Sequence, residues 1–174
     1  MDGDANGNPL HELYHTGLRN QHALEMTAIE LTERQVERLE HYPEMAARLR
    51  QHHAESQEQA KRLEAILARH DTSTSAVKNA ALAVMGNVAA ALHVAPSDEI
   101  LKNTFANFAF EHQEIAGYIS LIAMAEKMGD TASLAPLKQS LSEEQSMADF
   151  IRDQIVPTTQ RFMQLTEAGQ KAGV

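Results

Sequence analysis

The 174-residue chain contains no cysteine and no tryptophan. Without cysteine there can be no disulfide, no thiolate metal site and no nucleophilic thiol. Proline is scarce (5) and glycine modest (8), and both sit where helices would begin or end. No apolar run approaches the ~20 residues that a membrane span needs. A basic block is also missing. The 24 acidic residues outnumber 15 basic ones, for a formal charge of −9, which argues against nucleic acid or an anionic membrane as the main partner. The opening MDGDANGNP has neither a basic nor an apolar stretch, so it does not read as an export signal. The expectation is a soluble, cytoplasmic protein.

What is present points to helices. Apolar residues recur at steps of three and four over long windows, and no window alternates with a period of two. Helices are expected from Pro9 to about Glu40, from Pro43 to about His70, from Pro96-Ser97-Asp98 to near Gly129, and from Leu134 to Val156. Pro157 then stops or kinks the chain before a last short helix to Gly169. Residues 71–75 read as a polar breaker and 76–92 as a shorter, Ala-rich segment. The second helix would span roughly 40 Å at 1.5 Å per residue, and the stretch 71–97 is long enough to carry the chain back over that distance. The expected fold class is all-α, a ferritin-like four-helix bundle. Its second and third helices are joined by a long crossover containing an extra helix, and a short C-terminal helix follows the fourth. Residues 1–8 are expected to form a disordered tail and 9–170 a single domain.

Each long helix carries a glutamate on its apolar stripe near mid-length. The stripes run through Leu18, His22, Glu25 and Ile29; through Leu49, His52, Glu55, Gln59 and Leu63; through Phe108, Glu111, Ile115 and Tyr118, with Glu114 beside Tyr118; and through Leu141, Glu144, Ala148 and Ile151. Glu25 and Glu55 lie 30 positions apart, as do Glu114 and Glu144, a spacing that two hairpins related by a pseudo-twofold axis would turn toward each other. A buried carboxylate costs on the order of several kcal/mol unless it is paired. Converging carboxylates repel, and raised pKa values relieve this only in part. Two bridged cations relieve it more fully, and hard oxygen ligands with imidazole suit iron or manganese. Glu25, Glu55, Glu111, Glu114 and Glu144 are therefore the candidate metal ligands. His22 and His52, each three residues before a stripe glutamate, and His112, beside Glu111, are candidate partners. His11 and His15 form an i, i+4 pair suited to chelation on a first turn expected to fray, and His70 reads as a helix-end residue.

The segments that carry these residues are Leu18-Arg19-Asn20 with His22–Glu25, YPEMAARLRQH (42–52) with Glu55, DEILKNTFANFAFEHQEIAGY (98–118) and LSEEQSMADFI (141–151). Together they resemble the bacterial YciE/YciF family of ferritin-like stress proteins over nearly all of residues 10–169. The resemblance implies a ferritin-like core with extra helices, usually dimeric, and a di-metal centre like that of rubrerythrins. Glu25, Glu55, Glu111, Glu114 and Glu144 fall at its carboxylate positions. The chain departs from the ExxH motifs typical of such sites, with Glu58 three residues after Glu55 and Met147 three after Glu144. Gln59 and Ala148 stand where many relatives carry His and Asp.

The leading expectation is a metal-binding stress protein with two iron or manganese ions per chain. It would oxidise Fe(II) or scavenge peroxide as a di-metal oxidoreductase, with O2 or peroxide and a second copy of the chain as partners. The alternative, favoured by the missing histidines, is a non-enzymatic helical interaction protein without metal. A closed storage cage ranks below both, because nothing in the sequence specifies a shell.

Overall fold

The computed structural model describes residues 8–70, 72 and 98–173. Four helices make up this part of the chain: α1 (Pro9–Val36), α2 (Pro43–Arg69), α3 (Glu99–Met128) and α4 (Thr131–Glu167). None is long and apolar enough to cross a membrane. The expected helix over 76–92 and the tail before Asn8 lie outside the described residues.

Local chemistry sets the helix ends. The Asn8 side chain caps α1 by accepting from the Leu10 N–H at 3.0 Å, with Pro9 in the first turn. α1 ends at Val36, short of the expected Glu40. Pro43 disfavours helical backbone at Tyr42, which sits at φ −130°, and the turn buries Leu39 and Tyr42 in the core. Gly129 closes α3 at φ 73°, a left-handed conformation that glycine adopts without steric penalty, and Asp130 N–H reaches back to Ala125 O at 2.9 Å.

The separate short C-terminal helix is a correction. α4 runs unbroken through Pro136 and Pro157 to Glu167. An interior proline removes one backbone hydrogen bond and costs about 3 kcal/mol. Packing beyond it supplies the compensation, because Leu165 is buried in the core with Tyr42, Met45 and Ile151, and Phe162 packs against them.

The two larger clusters of the apolar core form layers, and a small third one joins Leu24 and Ala28 to Phe110. One layer gathers Leu39, Met45, Leu49, Ile100, Met147 and Ile151. The other gathers Tyr14, Leu18, Leu63, Ile66, Leu121 and Leu137. α2 enters the first layer and ends in the second, and α3 does the same, so these two helices are parallel. α1 and α4 run the other way. The main helix contacts are α1 with α2, α3 with α4, α1 with α3, and α2 with α4. This is the ferritin-like arrangement of two antiparallel hairpins.

If the layers carry the stability, Leu63→Ala, at a fully buried position, lowers the unfolding free energy by about 2–5 kcal/mol. Met163→Ala, at an exposed position on α4, changes it by less than about 0.5 kcal/mol. Urea denaturation of both variants checks the contrast.

Candidate metal centre

Between the two apolar layers each helix turns polar groups inward. α1 contributes Gln21 and Glu25, α2 His52, Ser56 and Gln59, α3 Glu111 and Glu114, and α4 Ser140 and Glu144, all buried. One ligand atom from each of His52, Glu111, Glu114 and Glu144 lies within 4.8 Å of all the others. His52 Nε2 stands 3.3 Å from Glu111 Oε2 and 4.0 Å from Glu144 Oε2.

Glu25 lies beside this group and is held from its own side. Tyr118 donates its hydroxyl to Glu25 Oε1 at 2.5 Å, and Gln21 Nε2 donates to the same oxygen at 3.3 Å. Gln21 lies against Gly117 of α3, where a Cβ would collide with Gln21 Oε1. The absence of a side chain there lets α1 and α3 approach.

Glu55 takes a different position. Its carboxylate, half-buried on the rim, accepts from Arg48 Nη1 at 2.9 Å and from Gln51 Nε2 at 2.7 Å. Its Oε2 lies 3.5 Å from His52 Nδ1. The inward step after His52 falls on Ser56, four residues on. His52 occupies the level at which the 30-residue spacing put Glu55. Its signal was its place between Leu49 and Leu63 on the buried stripe. Of the other candidates, His22 pairs with Glu64 at 3.0 Å, and exposed His112 bonds its own helix through Phe108 O. Gln59 donates to Glu143 at 3.0 Å, and Glu143 also accepts both arms of Arg62.

The electrostatics follow from the geometry. Burial pushes the Glu25 carboxyl up to about 7, against the hydrogen bonds from Tyr118 and Gln21. Burial and then repulsion from Glu144, Glu25 and Glu111 push Glu114 well above the usual carboxylate range. Glu144 is likewise raised by burial, which outweighs the pull of His52. Burial disfavours a charge on His52, but the surrounding Glu111, Glu55 and Glu144 outweigh it and push the imidazole well above its ordinary value. Glu55 is held down at about 2, because the nearby His52 and the bonds from Gln51 and Arg48 outweigh its partial burial.

The donor set fits a hard or borderline cation. Glu25 Oε2, Glu111 Oε2, both oxygens of Glu114, both of Glu144 and both ring nitrogens of His52 are buried without a hydrogen-bond partner. Even with His52 protonated, four ionised carboxylates would leave three negative charges uncompensated in a dry interior. Carboxylate oxygens with one imidazole are the ligand types that suit iron and manganese.

Such a layer of carboxylates and imidazole, contributed by several helices inside a bundle, defines a ferritin-like helical protein with a candidate metal cluster. The family model described as Domain of unknown function (DUF892) matches residues 9–164, and the chain belongs to that family. A solved protein of Xanthomonas campestris pv. campestris is 25% identical with a TM-score of 0.77, the match covering 91% of this chain and 99% of that one. YcfI of Rhodopseudomonas palustris is 22% identical with a TM-score of 0.70, covering 87% and 97%. The E. coli stress protein YciF is 16% identical with a TM-score of 0.68, covering 86% and 96%. The family is thus of the YciE/YciF type, as the sequence resemblance implied.

The raised groups make metal-free stability depend on pH. In the unfolded chain the carboxyls ionise near 4.5, whereas in the fold Glu25, Glu114 and Glu144 keep their protons to higher pH. Stability therefore falls as pH climbs from about 5 to about 8, on the order of 3 kcal/mol from Glu25 alone. Raised His52 acts in the same direction. His15, held low by burial and by His70, acts in the opposite one. Thermal melts in chelator should show the fall in the natural chain and a flatter profile in a Glu114→Gln, Glu144→Gln double variant. Equal profiles would contradict the electrostatic account.

Proposed function

We propose that His52, Glu111, Glu114 and Glu144, with Glu25 adjoining, hold iron or manganese, and that the protein is a metal-binding member of its stress-protein-like family. The observation that carries this is the set of buried, unpartnered carboxylate oxygens at one level of the bundle. Two ions per chain fit the number of oxygens, with Glu55 on the rim near enough through His52 to join by a side-chain rotation.

Bound there, redox-capable ions would supply electron transfer to O2 or peroxide. The chain's own residues do the rest. Leu49, Met147 and Ile151 on one side and Leu18, Leu63 and Leu121 on the other keep bulk water from the layer. Tyr118 and Gln21 fix the orientation of Glu25. Glu114 and Glu144, with raised pKa values, release protons as a cation binds, so affinity rises with pH. The same reading takes residues 9–170 as one cytoplasmic domain that pairs as a homodimer.

A second reading has its own support. Protons held by the raised carboxyls would relieve part of the repulsion without any ion, and the departures at Gln59, Met147 and Ala148 remove ligands that many relatives have. In that case the protein is a non-enzymatic helical interaction module.

Metal-dependent stabilisation separates the two. A ligand at 100 times its Kd stabilises the fold by about 2.7 kcal/mol, roughly 5–10 °C in Tm for a domain of this size. Manganese(II) or anaerobic iron(II) should raise Tm by that amount in the natural chain. Glu114→Gln should abolish the rise while increasing metal-free Tm at neutral pH, because it removes the cost of holding a proton on a buried carboxyl that is ionised in the unfolded chain. An unchanged Tm with either ion in the natural chain would favour the interaction module.

A further inference from the structure

A second group of imidazoles gathers far from the carboxylate layer, at the end of the bundle where α2 finishes. His15 lies ten residues before Glu25 on α1, about 15 Å along the helix axis. The ring centroids of His15 and His70 are 5.2 Å apart, and those of His11 and His15 are 6.1 Å apart. Two imidazoles on one tetrahedral ion place their centroids about 5 Å apart, given metal–nitrogen bonds of about 2.0 Å. His11 and His15 share one face of α1 by their four-residue spacing.

One nitrogen of the group is unpartnered, and another is gripped from outside it. His15 Nε2 is buried with no hydrogen-bond partner. His70 Nε2 lies 3.0 Å from Asp130 Oδ2. That oxygen also accepts from the Ser133 hydroxyl. The Asp130 carboxylate faces His70 Nε2, which leaves Nδ1 as the ring nitrogen turned away from it. Tyr14 donates its hydroxyl to the same Asp130 oxygen at 3.1 Å. A carboxylate gripping the far nitrogen of a histidine is the arrangement that orients metal-binding imidazoles. The Arg19 side chain donates to Thr72 Oγ1.

We propose that His11, His15 and His70 form a second metal site, for one divalent transition ion of the zinc class, with Asp130 as the residue that positions His70. Exposed His11 closes the site by turning its ring toward the other two, and water takes the fourth position. Three nitrogens and no carboxylate in direct contact select an imidazole-preferring ion rather than the harder ions suited to the carboxylate layer. The bound ion fastens the first turns of α1 to the end of α2 and, through Asp130, to the corner between α3 and α4.

Calorimetric titration of the full chain with zinc chloride, and cobalt(II) absorption in the visible region, test this. His11→Ala and His15→Ala should each remove one zinc equivalent and the tetrahedral cobalt bands. Asp130→Asn should weaken that equivalent about 10–100-fold, and His41→Ala should leave it intact. Because His11 is exposed, its variant keeps the fold, which helical circular dichroism verifies. Zinc stoichiometry and affinity unchanged in both histidine variants, or no zinc bound by the natural chain, would overturn the proposal. Manganese or iron binding at the carboxylate layer is scored separately, so either site can fail without the other.

Discussion

Negative charge in a dry interior is the constraint around which this bundle is arranged. Glu25, Glu111, Glu114 and Glu144 are all buried, and His52 is the cationic partner within salt-bridge distance of Glu111 and Glu144. Replacing such groups with well-packed apolar residues of similar size is often neutral or stabilising. A fold maintained for stability alone would have little use for them. Tyr118 and Gln21 satisfy one oxygen of Glu25, and the remaining oxygens named above have no protein donor. The molecule tolerates this by isolating the polar level between two apolar layers and by keeping protons on the carboxyls that burial raises most.

The topology makes that level possible. With α2 and α3 parallel and each antiparallel to its hairpin partner, mid-length residues of all four helices meet at one height. A ligand group assembled from α2, α3 and α4 is then rigidly spaced by helices rather than by loops, and the missing side chain at Gly117 lets α1 bring Glu25 close. The rim is charged and paired, with Arg48 on Glu55 and Arg62 on Glu143. These arginine pairs lie outside the layer and leave its inner carboxylates to His52.

Much of this was legible in the chain itself. Helical periodicity identified the four helices, and the length of 71–97 favoured a crossover between parallel helices over an up-down-up-down bundle. Glu25, Glu111, Glu114 and Glu144 stood out as carboxylates on apolar stripes, and all four are buried. The parts not legible have specific causes. A stripe that advances by three or four cannot tell Glu55 from Ser56, and the choice was made by Arg48, which pairs with Glu55 from seven residues away. His52 could be recognised as a partner but not ranked above His22, whose ring is turned aside by Glu64 on α2. Pro157 is a local breaker, and only the burial of Leu165 against the start of α2 explains why α4 continues through it. The grouping of His15 with His70 depends on the ends of α1 and α2 meeting in space, which no local pattern encodes.

The most direct measurement is anomalous diffraction from crystals grown with manganese(II), recorded on both sides of the metal's absorption edge. The account predicts a strong difference peak within bonding distance of His52, Glu111, Glu114 and Glu144, with the raised carboxyls now ionised around it. A featureless map at that level, with ordered water or close carboxyl–carboxyl hydrogen bonds in its place, would contradict it.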